Sequence, residues 1–375
     1  MRYYDLHIWF PHKSTGVNDA FKGIWKKGED WRIVHPQKPS LRFSSFVNQK
    51  TEGAGFEAGG TPGTGIYDPG ALDIHFEIDE VDVTTASKSV ITIRGIDIKT
   101  IGQASNLQGA QIRLLAGTST PPHHIYNGQK RKWGLILEGT VFSSFGTWEE
   151  TEMSLQLYVT PYTTGKSFQF LTHARKGLEL KYLIYREIAR NFPNCTIEMN
   201  VKKNPLLPEA MQGSYSKFDE FVHFVKDTWK QLTNEFILIT SRGRIIYVAD
   251  QSASQEPLEI KFTELIGQPS WNGSKEISFI CPVRSDIKVT DIVTLPSFSS
   301  SHNNSPGTNA WGSIKLPKDP VPLPKDRSLF SGQFMITDLH HLGQFRSEKG
   351  LQWVTSYKAV PTASHPDKDS KQAKK

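Results

Sequence analysis

The sequence predicts a mainly β protein with an α/β region set between two related β units, an α+β fold overall. Three observations predict it. Apolar and polar residues alternate with a period of two over several stretches, the clearest setting Leu72, Ile74, Phe76 and Ile78 against Asp73, His75, Glu77 and Asp79. A long hairpin-like segment, Gly134 to Pro161, returns near the C-terminus as Gly332 to Pro361. Between the two copies the apolar spacing changes to that of helices.

From the start, Tyr4, Leu6, Ile8 and Phe10 alternate with polar residues and predict a half-buried strand that Pro11 ends. The stretch to about Ser40 has no clean period, and Leu41 to Val47 reads as a further strand. Residues 52–70 are crowded with Gly and Pro, which makes an ordered backbone costly, so a mobile surface loop is expected. The glycines lack the G-x-x-x-x-G-K-[ST] order of a phosphate loop. Strands follow at Leu72–Asp79, Ile91–Arg94, Gln111–Leu115 and Leu135–Phe142, with a short helix within Asp97–Leu107. Met153, Leu155, Leu157 and Val159 alternate to close the first unit.

After Pro161, Leu180, Leu183, Ile184, Ile188 and Phe192 predict a helix over Arg175–Phe192 that Pro193 and Asn194 stop. A strand at 195–201 follows. Phe218, Phe221, Val222, Val225 and Trp229 predict a second helix over Ser216–Leu232, with Ser214 or Ser216 as its cap. Glu235–Asp250 reads as a hairpin turning at Ser241, Arg242 and Gly243.

The second unit repeats the first in order. Ile91 onward, ITIRGIDIK, is matched by Ile277 onward, ISFICPVRSDIKV, then QIRLLAG by DIVTLP, then hairpin by hairpin with Gly146 and Gly343 at the tips. Internal duplication dictates the architecture. The expected parts are residues 1–161, 162–275 and 276–362. A Ser/Pro-rich excursion is expected at 296–326, anchored at Trp311, and a disordered basic tail at 363–375.

Composition narrows the chemistry. The chain has 375 residues, 22% charged and 11% aromatic, which suits folded β structure and more than one core. Lys plus Arg, 44, exceed Asp plus Glu, 38, and part of the surplus lies in the last residues, so no basic stripe marks a nucleic-acid face. Cys195 and Cys281 sit in apolar sequence and read as buried free thiols. No apolar run reaches the ~18 residues of a membrane span. The first residues carry no cleavable leader pattern, so the mature chain is expected to start at Met1.

Catalytic signatures are missing. The sequence holds no G-x-S-x-G, no H-E-x-x-H, no EF-hand loop and no paired C-x-x-C. His123–His124 and His340–His341 are sequence neighbours, which a strand points to opposite faces, so neither pair suits one metal; surface or hairpin positions are expected. Glu149–Glu150 and Asp79–Glu80 sit at hairpin ends or strand edges. Asp73, His75, Glu77 and Asp79 share one face, read as a solvated or partner-facing surface rather than a metal site.

The runs ITIRGIDIKTIGQASNLQGAQIRLLAG and GLILEGTVFSSFGTWEETEMSLQLYVTP, with ISFICPVRSDIKVTDIVTLP and FMITDLHHLGQFRSEKGLQWVTSYKAV, resemble baseplate hub proteins of contractile-tailed bacteriophages. The resemblance covers about 73–161 and 275–360. It implies two β-barrel tube domains per chain and a homotrimer whose six domains join a sixfold tail tube to a threefold spike. The implied partners are a tail tube or tube-initiator protein, a spike protein and surrounding wedge proteins, with DNA passing only nonspecifically. The implied location is the baseplate of the virion, after assembly in the host cytoplasm. No enzymatic activity, cofactor, metal or membrane insertion is implied. The long hairpins, at Thr140, Phe142, Leu155 and Leu157 and at Phe334, Ile336, Trp353 and Tyr357, are the expected contacts between subunits. A contractile secretion hub, a tail-borne cell-wall hydrolase and a carbohydrate-binding module, to which the nine Trp would suit, are the alternatives.

Overall fold

The computed structural model describes residues 1–10, 39–49, 56–62, 65–85, 87, 89–118, 132–162, 168–253, 255–272, 276–296 and 332–362. Residues 297–326 of the excursion with Trp311, the His123–His124 pair and the tail 363–375 lie outside the described residues.

Strands β1 (Arg2–Trp9), β2 (Leu41–Ser44), β3 (Phe46–Gln49), β4 (Phe56–Ala58), β5 (Ile66–Tyr67), β6 (Asp73–Glu80) and β7 (Ser89–Arg94) lead to helix α1 (Ile98–Gly102). A 3-10 turn at Ala104–Leu107, then β8 (Gln111–Thr118), β9 (Trp133–Glu149) and β10 (Glu152–Pro161), completes the first module. The middle region holds β11 (Phe170–Leu171), α2 (Leu180–Asn191), β12 (Thr196–Asn200), β13 (Ser214–Tyr215), α3 (Phe218–Thr233), β14 (Ile237–Arg242) and β15 (Ile245–Asp250). The second module is β16 (Leu258–Glu259), β17 (Ser270–Trp271), β18 (Ile277–Pro282), β19 (Ile292–Thr294), β20 (Gln333–Gln344) and β21 (Trp353–Pro361).

One large sheet runs β17-β18-β21-β20-β6-β7-β10-β9-β8-β1-β2, with β16 and β19 attached beside β20. Within it the order β7-β10-β9-β8 recurs as β18-β21-β20-β19. The repeat extends to single hydrogen bonds. Val141 faces Val159 beside a bulge that leaves Phe142 unpaired with β10, and Ile336 faces Ala359 beside a bulge that leaves Thr337 unpaired with β21. The amide of Gly109 donates to the Val141 carbonyl and that of Val141 to Ala110, just as Thr290 donates to Ile336 and Ile336 to Asp291. Gly109 and Thr290 both take a left-handed backbone, at φ 80° and 84°. Two chance meanders would not share a bulge, a left-handed turn and both bonds that flank it.

The register also corrects the alignment drawn from residue identity. Ile91 faces Leu157 and Phe279 faces Tyr357, so Ile91 is equivalent to Phe279 and not to Ile277. Gly146 faces Leu155 and His341 faces Thr355, so Gly146 stands where the second module has His341. Neither Gly146 nor Gly343 is at a tip. Both lie within strands, Gly146 three residues and Gly343 one residue before the strand ends.

Alternation buries one face of β6, β10 and β18. The first core gathers Tyr4, Leu6 and Ile8 of β1 against Ile74, Phe76, Ile93, Ile112 and Leu157, and the Tyr4 hydroxyl donates to the Leu72 carbonyl just before β6, 2.7 Å. The second gathers Ile277, Phe279, Cys281, Val293, Met335 and Tyr357. A third, in the middle region, packs α2 and α3 on β14 and β15 through Ile184, Phe221, Trp229, Ile239 and Val248. Cys281 is buried and Cys195 half-buried, and both are free thiols. Among the described residues no helix is long and apolar enough to cross a membrane.

Local departures have local causes. The stretch 52–70, expected as loop, contains β4 and β5, which pair with β3. Gly59 turns at φ 122° under the Arg42 guanidinium, which donates to its carbonyl and to the buried Asp5 carboxylate. α2 begins five residues later than its apolar spacing suggests, since Glu179 pairs in a β-bridge with Leu206. α3 is not capped by a serine side chain; the Glu220 carboxylate accepts instead from the amides of Ser216 and Lys217, each 3.3 Å.

Candidate assembly interface

β6 belongs to the first module through β7, yet its other edge pairs with β20, from Glu80 opposite Leu339 to His75 opposite Gln344. The two modules therefore share one sheet. Close approach is built in at Gly343, opposite Phe76, where a Cβ would fall 2.1 Å from the Phe76 ring. The same ring meets Trp353 edge-on with centroids 5.3 Å apart, and Trp353 reaches into the first core. Arg2 clasps the turn beyond β20 by donating to the carbonyls of Gln344, Phe345 and Ser347.

The middle region is tied to this junction by a buried ion pair. Arg242 at the end of β14 donates through Nε to Glu80 at the end of β6, 2.5 Å, with both side chains under a tenth exposed. Its other nitrogens donate to the carbonyls of Ser285 and Ile287, and Glu80 accepts the Val289 amide, 3.1 Å. One guanidinium and one carboxylate thus join all three parts. Asp82 adds a second tie, accepting from the Ile239 amide and pairing with Lys226.

Asp291 sits beside that pair. Burial pushes its carboxyl up to about 6, against the opposing pull of Lys288 and its amide and of Arg242. A proton held more tightly in the folded state than in the unfolded one, near pH ~3.9, gives stability that is fully present below that value. It is lost as pH rises through about 6. Asp291→Asn keeps an acceptor for the Lys288 amide. It is expected to raise stability at pH 7.5 by up to about 3 kcal/mol and to flatten the change in urea midpoint between pH 5 and 7.5.

The histidine pair divides as strand geometry requires, but only one member is at the surface. His340 Nδ1 lies 2.6 Å from the Asp79 carboxylate on the solvent face. His341 is fully buried with Nδ1 2.7 Å from the Thr355 hydroxyl, and burial holds its pKa well below the ordinary 6.5. Near His340 the outer face of β6 forms, with β7 and β10, a shallow groove of about 140 Å³ lined by His75, Glu77, Val90, Thr92, Gln156 and Tyr158. Among the described residues no three His, Cys, Asp or Glu converge as metal ligands.

The first hairpin differs from the second at the same place. β9 pairs with β8 only as far as Thr140, and among the described residues no strand pairs with that edge from Ser143 to Glu149. α1 and the following turn lie under its core face, where Ser144 donates to the Ala104 carbonyl and a Cβ on Gly146 would meet Ile101. Phe142, Phe145 and Trp148 stand 66%, 54% and 63% exposed. Of the residues expected to make subunit contacts, Phe142 is exposed and Thr140 half-buried. Leu155, Leu157, Phe334, Ile336, Trp353 and Tyr357 point into the chain's own cores, and their backbones are taken on both sides by neighbouring segments of the same chain. Phe145 and Trp148 escaped the sequence reading, although an aromatic run along a hairpin was a signal that could have found them.

Among the solved structures that this chain resembles are phage-tail proteins and a type VI secretion component. One is the Escherichia coli c3393 protein, a type VI secretion component described as similar to the T4 tail proteins gp27 and gp5; 78% of this chain and 74% of that one align at 10% identity, TM-score 0.44. A tail protein of Neisseria meningitidis MC58 aligns over 77% of this chain and 96% of its own at 10% identity, TM-score 0.41. In the Francisella PdpA-VgrG complex, 97% of this chain aligns with 59% of that one at 12% identity, TM-score 0.46. No family model and no curated protein matches the sequence.

Proposed function

We propose that this chain is a structural hub subunit of a phage-type tail, three copies of which close into a ring of six similar β modules around a channel. The observation that carries the reading is the duplication. Two modules with one hydrogen-bond pattern stand side by side, fused through β6 into a single sheet. Such a chain meets a sixfold partner with six equivalent units while remaining threefold itself, which suits an adaptor between a tail tube and a spike. The number three comes from the resemblance read in the sequence. The fusion through β6 is the kind of module-to-module contact that a ring repeats between chains. The role is mechanical and non-enzymatic, and DNA traversing the channel is met only by nonspecific charge.

Light scattering on the purified protein over a range of concentrations, with class averages from electron microscopy, tests this. The expected result is a three-chain mass and a ring with six similar lobes. A monomer at every concentration, alone and with its spike protein present, would overturn it.

A further inference from the structure

The end of the β9–β10 hairpin carries apolar and charged side chains together in the open. Phe142, Phe145 and Trp148 are each more than half exposed. Gly146 and Leu155 face each other over the first core, so Phe145, one residue earlier, lies on the opposite face. There its ring meets Tyr158 edge-on, with centroids 5.9 Å apart. Past Trp148 the turn adds Glu149, Glu150 and Glu152, all exposed, with Arg94 3.5 Å from Glu152. Glu150 takes a left-handed backbone at φ 54°, where a hairpin turn favours glycine or asparagine. An acid stands there against the backbone's preference.

Helix α2 turns the opposite charge outward, again beside exposed rings. Leu180, Leu183, Ile184 and Ile188 pack into the middle core. That leaves Tyr182 and Tyr185, one turn apart, on the other side at 53% and 46% exposure. Leu206, 58% exposed, lies by the same end of the helix, because it pairs in a β-bridge with Glu179, three residues before Tyr182. Arg175, Lys176 and Lys181 surround this patch, with Glu179 as the acid among them.

We infer that the end of the β9–β10 hairpin of one copy of this chain docks on the outward face of α2 of the next copy. The inference rests on the ring reading above and names the contact that closes the ring. Charge complementarity selects a second copy as the occupant. The glutamates of the turn meet Arg175, Lys176 and Lys181, and the phenylalanine rings meet Tyr182 and Tyr185 in edge-on contacts of the kind Phe145 already makes with Tyr158. Two hairpin ends brought together would set their glutamates face to face, and two α2 faces would oppose their cations, so unlike surfaces pair and like surfaces repel. A contact between unlike surfaces runs head to tail from copy to copy until it closes.

Charge reversal tests the contact. Glu149→Lys, Glu150→Lys and Glu152→Lys together, or Arg175→Glu, Lys176→Glu and Lys181→Glu together, are each expected to raise the concentration of half-assembly by at least ~10-fold in light scattering. One chain carrying both sets should assemble near the parent's concentration. A p-benzoylphenylalanine in place of Phe145 reads the same contact without touching a charge. On irradiation it is expected to link to the tryptic peptide 182–186 of another copy, which holds both tyrosines. If both reversed chains assemble like the parent, or Phe145 links to another peptide or to a different tail protein, this contact is overturned and the hub reading stands. Reversed chains that fail to assemble, with no recovery in the doubly reversed chain and circular dichroism unchanged, overturn the contact as well. A parent that stays monomeric at every concentration, alone and with its spike protein, overturns both readings.

Discussion

Replacing Arg242 by Met is expected to cost about 3–5 kcal/mol of folding stability, the usual penalty for removing one member of a buried ion pair. The variant leaves the Glu80 carboxylate charged and enclosed, and it strips the carbonyls of Ser285 and Ile287 of their donors. Glu80→Leu added to Arg242→Met should recover part of the loss, because the stranded charge is gone. Recovery will be incomplete, since the two carbonyls and the Val289 amide still lack partners. Urea unfolding of both variants, followed by tryptophan fluorescence, checks the order. If the single variant unfolds at the parent's midpoint, the pair does not hold the three parts together. A separate early transition for the middle region would show that this one contact makes them unfold as a unit.

Gly343→Val is expected to lower stability by about 3 kcal/mol, at the severe end of core overpacking. The first added carbon would fall within the Phe76 ring, which is almost fully buried and already meets Trp353. Nothing at the junction can retreat without parting β6 from β20. Phe76→Ala in the same chain should return some of the loss by emptying the space the valine needs, so the two changes together cost less than their sum. A strictly additive pair would show that the damage lies elsewhere. Hydrogen exchange at the amides of Ile78 and Leu342 gives a second readout, with faster exchange expected in the single variant and slower in the pair.

Much of the fold was legible because strand alternation is a local signal. Leu72 to Asp79 reads as a strand with an acidic face whatever its neighbours are, and Phe218 to Trp229 reads as a helix with an apolar stripe. The repeat was legible too, since both copies keep their apolar positions. Equivalence of single residues was not, because identity misleads where register decides. Gly146 and Gly343 look alike in the sequence but stand two positions apart in the repeat, one above Ile101 and the other above Phe76. The interface was least legible. That β6 pairs with the second module depends on an edge more than two hundred residues away. Glu80 looked like a surface acid beside Asp79 until Arg242, from another part of the chain, was seen to cover it.

The late pairing of β6 has a consequence for the time course of synthesis. Asp79 leaves the ribosome 261 residues before His340, the residue it will face. At roughly 5–20 residues per second that interval lasts on the order of tens of seconds. Through all of it one edge of a strand carrying Ile74, Phe76 and Ile78 has no partner in its own chain, the condition in which nascent strands adhere to each other. Its remaining side chains are Asp73, His75, Glu77, Asp79 and Glu80. On this view the acidic row is a guard for the growing chain, keeping neighbouring polysomes apart by mutual repulsion until β20 arrives.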